Sequence, residues 1–203
     1  MTEYEKMIAG MLYNAGDPEL LAMRRRIRDF AVAYNQTKSE EEDLRVAMLE
    51  EHLGAFGEES WIEPDIRLDY GINLHIGKHC YFNFDCVFLD VAPITIGDYV
   101  LVGPNVSFYT PLHPMDWRLR RNYYDENGEL ATNESAAPIV VGDDVWIGGG
   151  AIILAGVTIG ARSVIGAGSV VTRDIPADVF AAGNPCRVIR KLGEEDREAF
   201  PVR

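Results

Sequence analysis

Aliphatic side chains recur at every sixth position from Val141 to Pro176, through six consecutive hexads without a break. Glycine takes the second place in four of the six hexads, and the fifth place holds a small or β-branched residue. A period of six fits neither an α-helix nor an ordinary sheet. It is typical of a coil of short parallel strands, in which each hexad forms one strand and its turn and points one aliphatic side chain inward.

The same period appears more weakly earlier in the chain. From Ile76 the hydrophobic places are again six residues apart, and the phase slips by two at Pro93 before it resumes. Two repeat blocks, 76–109 and 139–176, therefore flank the aperiodic segment 110–138. Insertions in solenoids map to loops and often to the binding face, so we expect this segment to be a functional loop.

Two helices are expected before residue 56. Asp17 followed by Pro18 is typical of an N-cap and a first helical position, and hydrophobic residues then follow at helical spacing. Ser39, with Glu42 three residues later, predicts a capping box that begins the second helix. The apolar stripe predicted for that helix consists of Leu44, Ala47 and Met48. Helices this short are not stable alone, so both should cover the first coil of the solenoid.

This pattern divides the chain into three parts. They are a helical cap over 1–56, a β-helix over 57–192 with the inserted loop 110–138, and a polar tail over 193–203. The predicted fold class is mainly β, a parallel β-helix of hexapeptide repeats with an N-terminal helical cap and an extended loop.

Composition narrows the possible functions. The chain of 203 residues is 47% hydrophobic and 25% charged, as in globular proteins, and its net charge of −13 argues against nucleic acid as a partner. It contains no 18-residue apolar run and no signal-peptide core, so we expect no membrane association and a cytoplasmic location. The cysteines Cys80, Cys86 and Cys186 lack metal-ligand spacing, so they are interpreted as small buried residues and no metal site is expected.

His113 is the candidate for chemistry among the four histidines. Pro111 and Pro114 surround it in the aperiodic segment and restrict the backbone on which it lies. Histidine titrates near neutral pH and therefore suits general base catalysis. The other histidines have no obvious partner and are interpreted as surface residues.

Basic residues and glycines gather in the last third of this acidic chain. The basic residues are Arg162, Arg173, Arg187, Arg190 and Lys191. Glycines would let a ligand lie close to the backbone, and arginines bind phosphates, so this wall suits a long polar ligand that carries phosphates. The alternative is a solvated basic face. The glycines concerned are Gly142, Gly148, Gly149, Gly150, Gly160, Gly166 and Gly168.

Taken with the repeat, several segments resemble the maltose and galactoside O-acetyltransferases. They lie at Glu5–Tyr13, Tyr81–Asp85, His113–Pro114, Val145–Gly148 and Ala182–Ile189, and the likeness runs from about residue 5 to 192. The resemblance implies a left-handed β-helix, a homotrimer, and transfer of acetyl from acetyl-CoA to the hydroxyl of a sugar-like acceptor.

The resemblance also assigns roles to individual residues. His113 matches the catalytic base, and Gly149 is our candidate for a backbone N–H that stabilises the oxyanion. The expected acceptor-binding residues are Asp17, Asp69, Tyr81, Asn83, Asp85, Asp90 and Glu134. The expected coenzyme-binding residues are Trp146, Gly149, Ala167, Thr172, Arg173, Arg187 and Arg190.

The sequence does not determine the identity of the acceptor. The segment after His113 is longer than in either family enzyme, and its Tyr123–Tyr124 has no counterpart there. One alternative is an acetyltransferase of the same fold that acts on an antibiotic, a serine or an amino-sugar. Another is a trimeric solenoid scaffold without chemistry.

Overall fold

The computed structural model describes residues 1–198, and most of them form a coil of short parallel strands. The helices are α1 (Glu3–Ile8), α2 (Pro18–Asn35), α3 (Glu42–His52), α4 (Trp117–Arg120) and α5 (Glu194–Glu198). The strands are β1 (Tyr13–Asn14), β2 (Ala55–Phe56), β3 (Trp61–Ile62), β4 (Ile66–Leu68), β5 (Leu74–Ile76), β6 (Tyr81–Phe82), β7 (Cys86–Leu89), β8 (Ile94–Ile96), β9 (Leu101–Val102), β10 (Ser107–Tyr109), β11 (Pro111–Leu112), β12 (Tyr123–Tyr124), β13 (Leu130–Ala131), β14 (Asn133–Ala136), β15 (Ile139–Val141), β16 (Trp146–Ile147), β17 (Ile152–Leu154), β18 (Thr158–Ile159), β19 (Val164–Ile165), β20 (Val170–Val171), β21 (Val179–Ala182) and β22 (Arg187–Lys191).

Three sheets form the sides of the coil, and the chain visits them in turn. Sheet 1 has the strand order β18-β15-β8-β5-β2, sheet 2 has β22-β21-β19-β16-β9-β6-β3, and sheet 3 has β20-β17-β10-β7-β4. All their pairings are parallel except the terminal β21–β22 hairpin. The turns from sheet 2 to sheet 3 make one long edge, the 2–3 edge, and those from sheet 3 to sheet 1 make the 3–1 edge.

The interior is filled by the places that the hexad pattern marks as hydrophobic or small. Every first-place and fifth-place side chain of the second block is buried, including the hydroxyls of Ser163 and Ser169. The earlier block repeats this arrangement: in the interior, the Phe82 ring meets Phe88 edge to face, and Phe88 stacks on Phe108. The sequence period therefore predicts the core of the coil correctly.

The second-place glycines are required by the close approach of neighbouring coils. A Cβ atom at Gly142 would lie 2.6 Å from the backbone nitrogen of Ala161, and one at Gly160 would lie 2.3 Å from that of Ala177. The expectation that these glycines leave space for a ligand is therefore wrong, because the next coil fills that space. Gly168 alone among the glycines named for this role has nothing within 4 Å of its added Cβ.

The helical cap is bound to the first coil by hydrogen bonds. The Tyr34 hydroxyl donates to the carbonyl of Ile62 at 2.5 Å, and the Asn35 amide exchanges two hydrogen bonds with the backbone of Ile66. Asp17 caps α2 as predicted, because its carboxylate accepts from the backbone N–H groups of Glu19 and Leu20.

The prediction for α3 is wrong in its start and in its buried face. The helix begins at Glu42 without a side-chain cap, and Leu44 is exposed while Arg45 is buried. Tertiary contacts explain the rotation, since the Arg45 guanidinium lies over the Trp61 ring and 3.6 Å from the Glu63 carboxylate. None of the helices described is both long and apolar enough to cross a membrane.

Two boundaries differ from the sequence-based division. The coil already begins with β2, which pairs with β5, so its first strand lies inside the predicted cap. The inserted loop is largely ordered: it contains α4 and the β12–β13 hairpin, and β14 pairs with both β1 and β11. The part of the tail that is described forms α5, and residues 199–203 lie outside the described residues.

Replacing Gly142 with Ala should lower the stability of the protein by about 1–3 kcal/mol, the usual cost of overpacking. The added methyl group would meet backbone, which cannot move aside without opening the coil. Gly193→Ala is the matched control, because its methyl group would meet only the flexible end of Glu195. Thermal denaturation of both variants checks this, and equal melting temperatures would contradict the stacking argument.

Candidate active site

His113 lies in an open cleft of about 390 Å³ at the 3–1 edge. Helix α2, the turns that follow β4 and β7, and the inserted loop all contribute to its walls. We call this space the His113 cleft, and its lining residues are Leu21, Arg24, Arg28, Asp69, Leu89, Val91, Pro111, His113 and Glu134. Its volume is in the range of small-molecule sites, which run from about 300 to 1,000 Å³.

Glu134 fixes the electrostatic surroundings of His113. One carboxylate oxygen lies 3.8 Å from Nε2 of His113, and the other accepts a hydrogen bond of 2.7 Å from the Tyr13 hydroxyl. The antiparallel pairing of β1 with β14 places Tyr13 opposite Glu134. Burial and the adjacent carboxylate raise the pKa of Tyr13 above its ordinary value, so its hydroxyl remains a donor. The carboxylate is thus held where it can stabilise a positive imidazolium.

Two arginines of α2 enter the cleft, and sequence reasoning missed both. Arg28 donates to the Asp69 carboxylate at 2.9 Å, and Arg24 donates to the Tyr70 hydroxyl at 2.7 Å and to the carbonyl of Ala15. Their spacing of four residues puts them on one helical face, which is the signal that could have identified them.

A second group of predicted residues lies at the 2–3 edge. Asn83 and Asp85 are in the turn between β6 and β7, and Asp85 has a positive φ of 61°. Gly149 and Ala167 occupy the equivalent turns of later coils, and among the described residues no acceptor is found for their backbone N–H groups. These two N–H groups are available to a ligand, and we call the surface beside them the Gly149 groove.

Predicted coenzyme-binding arginines lie at the C-terminal end of the coil. Arg187 follows the turn next to β20, and its guanidinium donates to the carbonyl of Cys186 at 2.7 Å. Arg190 is engaged by Asp196 of α5 through hydrogen bonds of 2.8 and 2.5 Å. Thr172 and Arg173 are exposed at the far end of β20, across sheet 3 from the groove.

Tyr81 and Trp146 stand in one row on the outer face of sheet 2. Leu101 lies between them in register. The Tyr81 hydroxyl donates to the Glu63 carboxylate at 3.5 Å. Trp146 is 55% exposed and offers a flat apolar surface on the strand that leads into the Gly149 groove.

Two of the expected acceptor-binding carboxylates accept hydrogen bonds from the protein's own backbone. Asp90 is fully buried, and one of its carboxylate oxygens accepts from the N–H groups of Asp69 and Tyr70. Asp17 does not line the cleft, and its carboxylate caps α2. Asp90 therefore has no surface with which to touch an acceptor in this structure.

Within one chain, the two groups of residues lie at opposite edges of sheet 3. Gly149 precedes β17 and His113 follows β10, and these strands pair in register from Ser107 to Tyr109. Three strand residues alone span about 10 Å, so the imidazole and the groove cannot act on one thioester in a single chain. Residues 1–198 contain no group of three or more His, Cys, Asp and Glu placed to hold a metal ion.

Two family models match this chain. Residues 6–57 match the maltose acetyltransferase hexapeptide capping motif, and residues 138–173 match the bacterial transferase hexapeptide, which comprises six repeats. A parallel coil of hexapeptide repeats under such a cap defines the class of the hexapeptide-repeat acetyltransferases.

Known proteins place the chain more closely within this class. The galactoside O-acetyltransferase of Escherichia coli is 40% identical over 97% of this chain and 92% of its own length. The structure of a maltose O-acetyltransferase from Clostridium difficile is 46% identical, covers 95% of this chain and 98% of its own, and superposes with a TM-score of 0.88. A hexapeptide-repeat acetyltransferase from Vibrio cholerae in complex with acetyl coenzyme A is 41% identical, with coverages of 95% and 100% and a TM-score of 0.82.

The chain therefore belongs to the family of the maltose and galactoside O-acetyltransferases. Membership confirms the resemblance seen in the sequence, the left-handed β-helix and the enzyme class, an O-acetyltransferase.

Proposed function

We propose that this protein transfers acetyl from acetyl-CoA to a hydroxyl of a sugar-like acceptor, with His113 as the general base. The observation that carries this proposal is the imidazole beside a fixed carboxylate in the His113 cleft, at 3.8 Å from Glu134. The names of the relatives support a sugar acceptor and acetyl-CoA as donor. A cytoplasmic location remains a prediction from the sequence.

The chemistry follows from the properties of the imidazole. A neutral His113 removes the proton of the acceptor hydroxyl as its oxygen attacks the thioester carbon, which contributes about 10²–10⁴-fold. The Glu134 carboxylate stabilises the imidazolium formed. The tetrahedral intermediate then collapses, the carbon–sulfur bond breaks, and the imidazolium returns its proton to the leaving thiolate.

The Gly149 groove supplies the other half of the reaction. The N–H of Gly149, for which no acceptor is found among the described residues, would donate to the oxyanion, a role that is worth about 2.7–4 kcal/mol in other enzymes. Ala167 and Arg187 continue the groove along the 2–3 edge toward the end of the coil, in the direction that phosphates would extend. Arg190 must exchange Asp196 for a phosphate in order to take part.

The His113 cleft and the Gly149 groove are proposed to meet between subunits of a homotrimer. Two outer faces of the coil are apolar and differ from each other: sheet 2 presents Leu101 and Trp146, and sheet 3 presents Ile152 and Leu154. Sheet 1 presents exposed polar residues such as Thr95. Two different complementary faces favour a head-to-tail contact, which closes into a ring. His113 of one subunit would then face the groove of the next.

Light scattering should therefore give a mass three times the chain mass of 22.6 kDa. Leu154→Glu, which places a charge on the apolar face of sheet 3, should lower both the measured mass and the activity, while Thr95→Glu on sheet 1 should change neither. A wild-type protein that is monomeric at micromolar concentration and active would contradict the proposal.

His113→Ala should lower kcat by about two to four orders of magnitude, the range expected for loss of a general base. The melting temperature should stay near that of the wild type, because the side chain is 53% exposed. His79→Ala is the control, since His79 stacks on Tyr99 in a turn away from the cleft. Steady-state thiol release by the His113 variant within a few-fold of wild type would leave the mechanism without its base.

Replacing Arg187 and Arg190 with Ala should raise the KM for acetyl-CoA much more than it lowers kcat. The phosphates that these side chains would bind do not change during transfer, so their contribution is uniform binding. Arg162→Ala is a matched control, because Arg162 is exposed and paired with Asp178 in a turn between sheets 1 and 2. A fall in kcat at constant KM would exclude this role for the two arginines.

A further inference from the structure

We propose that Asp90 is a positioning residue for the acceptor, which acts through two backbone amides and never touches the acceptor itself. Its role is to hold the turn of Asp69 and Tyr70, and through them both arginines of the His113 cleft. This inference rests on the function proposed above, and it names the element of the fold on which acceptor affinity depends.

The geometry around Asp90 begins at a single carboxylate oxygen. Oδ1 accepts a hydrogen bond of 3.0 Å from the N–H of Asp69 and one of 2.8 Å from the N–H of Tyr70. The side chain is fully buried, and the Asn73 amide donates to the main-chain carbonyl of Asp90 at 2.8 Å. Asp90 is thus fixed, and it fixes the turn that precedes β5.

Each of the two residues whose amides bind Asp90 accepts a hydrogen bond from one arginine of α2. The Asp69 carboxylate accepts from Arg28 at 2.9 Å, and the Tyr70 hydroxyl accepts from Arg24 at 2.7 Å. Burial raises the pKa of Tyr70 to about 12, so this hydroxyl remains neutral and available. One buried carboxylate therefore determines, through Asp69 and Tyr70, the positions of two guanidinium groups that line the cleft beside His113.

The next coil ties the same edge to the loop that bears His113. The buried Thr110 hydroxyl accepts from the N–H of Ala92 at 2.9 Å and donates to the carbonyl of Leu89 at 2.6 Å. Thr110 lies three residues before His113. Asp90 and Thr110 thus connect the turn of Asp69 and Tyr70 with the loop that bears His113. Of the two, Asp90 is the residue that binds the turn.

The charge of Asp90 is not what this role requires. Its second oxygen, Oδ2, is the buried side-chain polar atom for which no partner is found among the described residues. Burial raises the pKa of this carboxyl to about 6, because the surrounding protein solvates its charged form less well than water does. An asparagine would offer the same acceptor oxygen without a buried charge, whereas an alanine would release both amides.

The test compares Asp90→Asn with Asp90→Ala in the full-length protein. Thiol release from acetyl-CoA is measured with maltose and with methyl β-galactoside as probe acceptors, using whichever the wild type acetylates. Asp90→Ala should raise the acceptor KM about tenfold, because the loss of two hydrogen bonds releases the turn of Asp69 and Tyr70, and should leave the KM for acetyl-CoA within about twofold. Asp90→Asn should keep both constants near wild type.

Tyr70→Phe keeps the test decisive if Asp90→Ala does not fold. It removes only the hydroxyl that holds Arg24, so it should raise the acceptor KM several-fold with no change for acetyl-CoA. Equal effects on both KM values, an unchanged acceptor KM in Asp90→Ala or Tyr70→Phe, or an Asn variant as impaired as the Ala variant would overturn the proposal.

Amide hydrogen exchange separates this inference from the proposed function. Exchange at Asp69 and Tyr70 should be slow in the wild type and in Asp90→Asn, and fast in Asp90→Ala. A wild type that releases no thiol with either probe would count against the proposed function, whereas unchanged exchange in Asp90→Ala would count against the positioning role.

Discussion

The spacing between neighbouring coils is the constraint on which the rest of the structure depends. Parallel strands that share backbone hydrogen bonds lie about 4.8 Å apart, and this distance is repeated at every turn of the coil. It leaves no room for a side chain where one turn passes over the next, so Gly142 and Gly160 lie against backbone atoms at distances that a methyl group could not accept. The result is a rigid prism. Its candidate site residues lie in the turns along its edges, and the geometry of the coil sets the positions of those turns.

That rigidity keeps the two groups of candidate site residues apart within one chain. The coil places the Gly149 groove at one edge of sheet 3 and the turn of Asp69 at the other, while the inserted loop adds His113 and Glu134 beside the latter. A stiff strand cannot bend to bring the edges together. Association of chains through the apolar faces of sheets 2 and 3 is the arrangement that we propose, because it would bring one edge of each chain to the opposite edge of its neighbour.

The sequence predicts those features that the coil alone determines. The hexad period identifies the inward-facing places, and Asp17 with Pro18 marks the start of α2. Prediction from the sequence fails where contacts between residues distant in sequence decide which side chains are buried. Arg45 is buried because it packs against Trp61 and Glu63. The same limit applies to the cleft. Its pairs Arg28–Asp69 and Tyr13–Glu134 join residues 41 and 121 positions apart, and no local pattern relates them.

Complementation between two inactive variants tests the shared site most directly. Ala167 is exposed in the Gly149 groove, so Ala167→Trp should block the groove in the chain that carries it, while His113→Ala removes the base. Differently tagged copies of the two variants would be co-expressed in equal amounts and the mixed oligomers isolated. If each site takes its base from one subunit and its groove from the next, one of the three sites in every mixed trimer is intact, and about a third of wild-type turnover should return. Mixed oligomers no more active than either parent would show that base and groove belong to the same chain.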